Sequence, residues 1–302
     1  MSTSTAIGAG RGGSVASGSR QLINDYFELT KPKVQTLLLL TTVMTMEVAG
    51  SPSISKIALT CLGGYLSAGG AGAVNHVYDR DIDARMKRTA SRPIPAGRIS
   101  SRAGLFYGFA LAALSFVLLS LTVNVLAASL SLAGFVGYVG VYTVLLKRRT
   151  PQNIVIGGAA GAMPPLVGWA AAHGSLSWTA VYLFAIVFYW TPPHFWALSL
   201  LMTDDYAKAG VPMMPVVRGE AETRRQIVLY TLLLYAVSQL PFCTRALGGV
   251  YLLASIILGL AFIVGALWLY RRADRRAALR LYLFSLLYLA LLFGAMVADV
   301  KL

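Results

Sequence analysis

Charge is scarce in this sequence. Only 13% of its 302 residues are Asp, Glu, Lys or Arg, while 57% are hydrophobic; an average soluble domain is about 25% charged. A soluble globule of this make-up would be nearly all core and almost no surface, so that class is excluded. Intrinsic disorder and a collagen-like chain are excluded by the same numbers. Cysteine is almost lacking: Cys61 and Cys243 both lie in apolar runs and read as small hydrophobes, which leaves no disulfide scaffold. What remains is an all-α, polytopic membrane protein. The formal charge of +14 comes from 26 basic against 12 acidic residues. In a membrane protein this excess reads first as the positive-inside bias, not as a nucleic-acid surface.

Residues 1–20 are mostly Gly, Ser and Thr, with Arg11 and Arg20 and no apolar stretch. They are expected to be a disordered tail, without the apolar centre of a signal peptide. Residues 21–302 are expected to form one membrane domain. Nine apolar runs follow the tail, at about 33–50, 54–75, 103–123, 125–146, 153–172, 177–200, 226–244, 249–270 and 278–298. Most are near the roughly 20 residues that cross a bilayer core. Glycines interrupt the fourth and fifth, and Met163-Pro164-Pro165 breaks the fifth. With the N-terminus cytoplasmic, only Lys56, Arg245 and Lys301 of the 26 basic residues fall outside. Nine spans in the plasma (inner) membrane, N-terminus in and C-terminus out, is the expectation. Glu47 and Asp299 lie near outer span ends and are expected to reach the interface.

Two cytoplasmic loops, 76–102 and 201–225, are long and carry carboxylates that the rest of the chain nearly lacks. The second span ends in Gly69-Gly70-Ala71-Gly72-Ala73-Val74-Asn75-His76-Val77-Tyr78-Asp79-Arg80-Asp81-Ile82-Asp83. If the helix continues, Asn75, Asp79 and Asp83 share one face at i, i+4 and i+8. Such hard oxygen donors suit Mg²⁺ held jointly with a substrate phosphate. Asp81 points elsewhere and is expected to pair with Arg85, four residues on. The small residues at 69–73 admit a close helix or ligand. Of the basic residues that follow, Arg92 stands out in Ser91-Arg92-Pro93-Ile94-Pro95, where two prolines stiffen the backbone that aims it. The others serve lipid headgroups and topology.

In the second loop Asp204 and Asp205 are candidates for a second metal site facing the first. Lys208 and Arg218 are candidates to hold phosphate oxygens. His194, after Pro192-Pro193 inside the sixth span, needs a partner, a ligand or a cavity. His76 is a candidate for a phosphate or carboxylate bond, and His173 is placed at the outer interface. Tyr189, Trp190, Phe195 and Trp196 are either a packing group or a set of ring faces near a developing cation.

Two Asp-bearing motifs at the cytoplasmic ends of the second and sixth spans resemble the UbiA superfamily of intramembrane prenyltransferases. That family's first motif, Asn-Asp-x-x-Asp-x-x-x-Asp, is matched by Asn75, Asp79 and Asp83, with His76 replacing the first Asp. Leu29-Thr30-Lys31-Pro32-Lys33, Arg88-Thr89 with Arg92-Pro93, Tyr142-Thr143 with Leu146-Lys147-Arg148, Pro193-His194-Phe195, and Asp205-Tyr206 with Pro212 through Gly219 resemble its haem-prenylating branch. The second motif departs from the pattern, with adjacent carboxylates in place of a four-residue spacing.

The resemblance implies a nine-helix bundle that transfers a farnesyl group from farnesyl diphosphate to a vinyl group of haem B. It implies two Mg²⁺ ions, one on Asn75, Asp79 and Asp83 and one on Asp205 with Asp204. Arg92, Lys147, Lys208 and Arg218 would grip the diphosphate, with Arg80 and Asp81 in support. His194 or His76 would meet the haem. A haem A synthase or terminal oxidase is the expected downstream partner. The competing readings are prenylation of an aromatic or chlorin acceptor, and a haem transporter or chaperone.

Overall fold

The computed structural model describes the backbone from Gly12, and side chains from Gly18, to Leu302. Every regular element among the described residues is helical. Helix α1 (Gly12–Leu29) precedes α2 (Pro32–Ala49), α3 (Ile54–Tyr78) and the short α4 (Arg80–Arg85). Then come α5 (Ser101–Thr122) and α6 (Val125–Val136), which runs into a π-helical segment, Gly137–Leu146. Helices α7 (Asn153–Gly161) and α8 (Met163–His173) form a broken pair. They are followed by α9 (Trp178–Leu200), α10 (Thr203–Lys208), α11 (Met214–Val217), α12 (Gly219–Ser238), α13 (Leu240–Cys243), α14 (Gly249–Arg272) and α15 (Arg275–Lys301). Side-chain oxygens of Ser53, Ser100, Asn124, Ser177 and Asp274 cap α3, α5, α6, α9 and α15. They take up backbone N–H groups that have no carbonyl partner within the helix.

Among the described residues, seven segments are long and apolar enough to cross a membrane: Ile54–Tyr78, Ser101–Thr122, Val125–Leu146, Asn153–His173, Gly219–Cys243, Gly249–Arg272 and Arg275–Lys301. The other two expected spans are α2 and α9, helices of 18 and 23 residues. Their polarity faces inward. In α2, Gln35, Thr41, Thr42 and Thr45 are buried, and α9 carries Pro192, Pro193 and His194. Both are packed within the bundle, α2 on α3, α8 and α15, and α9 on α7, α8, α12 and α15.

Residues 1–11 of the expected tail lie outside the described residues. From Gly12 onward the chain is α1, whose Asp25 is buried and accepts two 3.0 Å hydrogen bonds from Arg98 Nε. This bond ties α1 to the loop before α5. The small residues of α3 do both jobs foreseen for them. Gly70 crosses α5 so closely that a Cβ there would meet the Gly108 carbonyl at 2.5 Å, and Ala71 and Gly72 line a cavity.

The two halves of the bundle differ in side-chain volume. Between α9, α12, α14 and α15 the space is filled by Leu183, Ile186, Tyr251, Phe262, Tyr288 and Phe293, all buried. On the other side, among α2, α3, α6 and the α7–α8 break, small residues leave a cavity. At the end of the bundle away from the two Asp-bearing loops Glu47 pairs with Lys301 at 3.1 Å, and Asp299 accepts hydrogen bonds from the backbone N–H groups of Gly248 and Tyr251. Both acids thus have partners within the protein.

Candidate active site

Helix α3 ends at Tyr78, but its hydrogen-bond ladder does not. Asp79 N donates to Asn75 O at 2.9 Å and Asp83 N to Asp79 O at 2.7 Å, which carries the helical register into α4. Asn75, Asp79 and Asp83 are consequently together and buried, at 2%, 1% and 3% exposure. Carboxylates so deep need partners. Lys147 pairs with Asp79 Oδ2, and Arg92 donates to Asp83 Oδ2 at 2.7 Å. Asn75 Nδ2 donates to Asp79 Oδ2 at 2.8 Å and to Thr143 Oγ1 at 3.0 Å. Asp79 Oδ1 is buried with no hydrogen-bond partner among the described residues.

The π-helical segment explains how Lys147 arrives. In an α-helix of 3.6 residues per turn, Tyr138 and Lys147 would project about 180° apart. Bonding from i to i+5 widens the turn and stacks each residue over the one five away. Lys147 N donates to Tyr142 O at 2.8 Å, and Thr143 Oγ1 to Tyr138 O at 2.9 Å. Tyr138, Thr143 and Lys147 therefore meet the same acidic face.

Lys31, to which sequence reasoning assigned no role, is the fourth side of the cluster. Its Nζ donates to Asn75 Oδ1 and lies 3.4 Å from Tyr138 Oη. Burial, with Arg92 and Lys147 close by, pushes its pKa down to about 7 against the pull of Asp79 and Asp83. Its backbone is left-handed, φ 54° and ψ 53°, between α1 and α2. A non-glycine residue pays about 1–2 kcal/mol for that conformation. Only the stretch Leu29 through Lys33 hinted at it, and nothing in that stretch shows where Nζ points.

Below this cluster opens a cavity of about 950 Å³, counting its mouth. Lys31, Gln35 and Tyr138 stand at its polar end, and Leu38, Leu39, Ala68, Phe135 and Val167 line its depth. From Lys31 to Thr42 along α2 it runs about 16 Å at 1.5 Å per residue. One end is cationic and acidic, and the rest is greasy.

The second loop folds against the first. Ile82 and Met86 are buried together with Tyr142, Ile154, Tyr206, Ala209, Val211 and Met213. Both Asp-bearing loops are thus at one end of the bundle. Burial pushes the Tyr206 phenol up; Arg88 and Arg92 from the first loop oppose the shift, and Asp205 and Asp79 add to it. Charges of both loops therefore act on one hydroxyl. Asp205 is half-buried and Asp204 exposed.

A model of the UbiA prenyltransferase family matches residues 36–292. The chain belongs to the UbiA prenyltransferase family. It is 54% identical over 282 residues to protoheme IX farnesyltransferase of Chloroflexus aurantiacus, covering 93% of this chain and 48% of that protein. The enzyme of that name from Symbiobacterium thermophilum is 52% identical over 286 residues, covering 93% and 96%. The chain spans about half the length of several such relatives, that of Thermus thermophilus among them. A solved structure concerned with digeranylgeranylglyceryl phosphate synthase superposes with a TM-score of 0.77 at 20% identity, covering 93% of this chain and 100% of that one. A UbiA homologue from Archaeoglobus fulgidus bound to DMAPP and Mg²⁺ gives 0.66 at 16%, covering 90% and 99%. These likenesses extend the shared fold over the whole bundle.

Some expected site residues of this UbiA-family chain go elsewhere. Asp81 pairs not with Arg85 but with Arg148, through Nη1 at 2.8 Å and Nη2 at 2.6 Å, because α4 turns its outer face to the end of the π-helical segment. Arg148 holds the Asp81 carboxyl down at about 2. Arg80 donates to Val77 O. Lys208 and Arg218 are exposed and make no ion pair among the described residues.

The aromatic group is packing. Trp190 and Trp196 are in the core, Tyr189 packs on Phe188 and Tyr230, and the rings lining the cavity are Phe135 and Tyr138. His76 is 1% exposed, and neither ring nitrogen has a hydrogen-bond partner among the described residues. His194 is half-buried, stacked between Trp190 and Tyr282, with Nδ1 2.7 Å from Ser285 Oγ.

Proposed function

We propose that this protein transfers the farnesyl group of farnesyl diphosphate to a vinyl group of haem B, with addition of water, and releases diphosphate. The names of its relatives support the reading. The observation that carries it is the buried Asn75–Asp79–Asp83 face, flanked by Lys31, Arg92 and Lys147, at the mouth of an apolar cavity.

The diphosphate sits at that mouth and the prenyl chain runs down the cavity. Lys31, Arg92 and Lys147 exchange their carboxylate and amide partners for phosphate oxygens. They stabilise the charge that builds as the allylic C–O bond breaks and both its electrons go to the diphosphate. The vinyl π electrons form the new C–C bond to the farnesyl carbon. The cation left on the substituent takes up water and loses a proton, giving a hydroxyethylfarnesyl side chain. The apolar walls keep bulk water from quenching the farnesyl cation first. His194 takes the haem iron, and the sealed His76 stays with the diphosphate end.

The residues fit a hard divalent cation. Asp79 Oδ1 is an unused buried acceptor. A hard oxygen set of this kind would hold Mg²⁺ jointly with a substrate phosphate. Asn75, Asp79 and Asp83 would hold one ion, and Asp205, with Asp204 beside it, a second. Bound there, Mg²⁺ supplies neutralisation of the leaving group's charge.

The site faces the cytoplasm, with the N-terminus inside and the C-terminus outside the plasma membrane. The product passes to a further haem-modifying enzyme or a terminal oxidase.

The test is purified full-length protein in lipid nanodiscs with haem B, farnesyl diphosphate and Mg²⁺. The haem product should gain the mass of farnesol while diphosphate is released, and both should stop in excess chelator. Asp79→Asn and Asp83→Asn should each lower the rate by about a hundredfold or more. An unchanged haem mass would overturn the acceptor assignment, and full turnover in chelator the metal assignment.

A further inference from the structure

Ser285 is fully buried in α15, far along the chain from the acidic motifs. Its Oγ lies 2.7 Å from His194 Nδ1 and also donates to the Tyr282 carbonyl at 2.6 Å. A hydroxyl has one proton to give. With that proton on the Tyr282 carbonyl, the Ser285 oxygen meets His194 as an acceptor, and Nδ1 carries the imidazole's hydrogen. Nε2 is then a bare lone pair, and no hydrogen-bond partner meets it among the described residues. Nor is it sealed in, since His194 keeps partial exposure where His76 has none.

The ring is also clamped. Trp190 stacks on one face at 4.3 Å and Tyr282 at 4.9 Å. Trp190 Nε1 donates to the backbone carbonyl of Ser285 itself at 2.8 Å. One residue thus holds the histidine by its hydroxyl and the stacking indole by its carbonyl. A flip of the imidazole would break the first bond, and a tilt would break the stack.

We propose that Ser285 is the positioning residue of the acceptor site. It holds His194 in the Nδ1–H tautomer and presents Nε2 as the open ligand to a haem iron at the seam of α9 and α15. The inference rests on haem being the acceptor and on His194 meeting its iron. Partners of this kind orient metal-ligating histidines, and their loss typically costs about 10–100-fold in affinity.

The experiment titrates full-length protein in nanodiscs with ferric haem B alone and follows the Soret band and electron paramagnetic resonance. The parent should show an imidazole-ligated spectrum. Ser285→Ala should raise the haem Kd about 10–100-fold and broaden the signature, and Ser285→Thr should restore both. Farnesyl diphosphate binding should not change in either variant. If Ser285→Ala binds haem with the parent's spectrum and Kd while His194→Ala loses the imidazole signature, the positioning role is wrong and the ligand assignment stands. If His194→Ala keeps that signature, the ligand assignment itself fails. A measurement on the unmutated chain is independent of folding: ¹⁵N shifts of labelled histidine, with His194 identified by its loss in His194→Ala. A protonated Nδ1 is expected, and a protonated Nε2 would overturn the proposal.

Discussion

Replacing Lys31 with Met separates the chemistry of the cluster from its stability. The ammonium is buried, bonded to Asn75 Oδ1 and near Tyr138 Oη, on a left-handed backbone. Met keeps the length and the strained φ but loses the charge. The lost charge-assisted hydrogen bond is worth about 1.5–3 kcal/mol. The variant also no longer has to bury an ammonium that water would otherwise solvate, which offsets a similar amount. Stability should therefore change by no more than about 1 kcal/mol, within a few degrees of Tm for a chain of this size. The rate has no such offset. A preorganised group that stabilises a leaving anion is worth about 10²–10³ in kcat, and that loss is expected here. Lys31→Gly should be equally inactive, with the backbone strain of about 1–2 kcal/mol relieved. Single-turnover diphosphate release in nanodiscs reads the rate, and tryptophan fluorescence on heating reads Tm. Lys31→Met turning over within threefold of the parent would refute the placement of Lys31 on the leaving group. A large fall in Tm would refute the offset.

Three further outcomes follow from packing and charge. Gly108→Val puts its Cβ 2.6 Å from Val74 Cγ2 and 2.8 Å from the Gly70 carbonyl, so the α3–α5 crossing should loosen by about 1–3 kcal/mol, seen as a lower Tm. Asp299→Ala removes the acceptor for the N–H groups of Gly248 and Tyr251 and should cost about 0.5–2 kcal/mol; Asp299→Asn should recover most of it. Asp81 has its folded pKa lowered from 3.8 to about 2 by Arg148, so the stability it adds is present above pH 4 and lost as pH falls toward 2. The Tm gap between the parent and Arg148→Met should close over that range; a gap that persists at pH 2 would show that packing, not charge, sets it.

The apolar helices, the two acid-bearing segments and the Asn75–Asp79–Asp83 face are determined by the sequence alone, whereas α1, which begins inside the expected tail, was not legible there. Apolar runs, caps and i+4 spacing are properties of neighbouring residues, and a helix turns them into geometry wherever it sits. Arg92 was legible for the same reason, since its flanking prolines are local. Everything else in the site depends on which surfaces meet. The π-helical widening that swings Lys147 onto the face of Tyr138 is chosen where Asn75 can bond Thr143, across 68 positions of sequence. Lys31 reaches Asn75 across 44, and its strained backbone is tolerated because that contact holds it. Asp81 finds Arg148 rather than Arg85, and the aromatic group around Trp190 fills the core, because those partners are distant in sequence and meet only once the helices pack. Ser285 carries no sequence signal at all: a serine in an apolar helix becomes a partner for His194 only when α15 closes against α9.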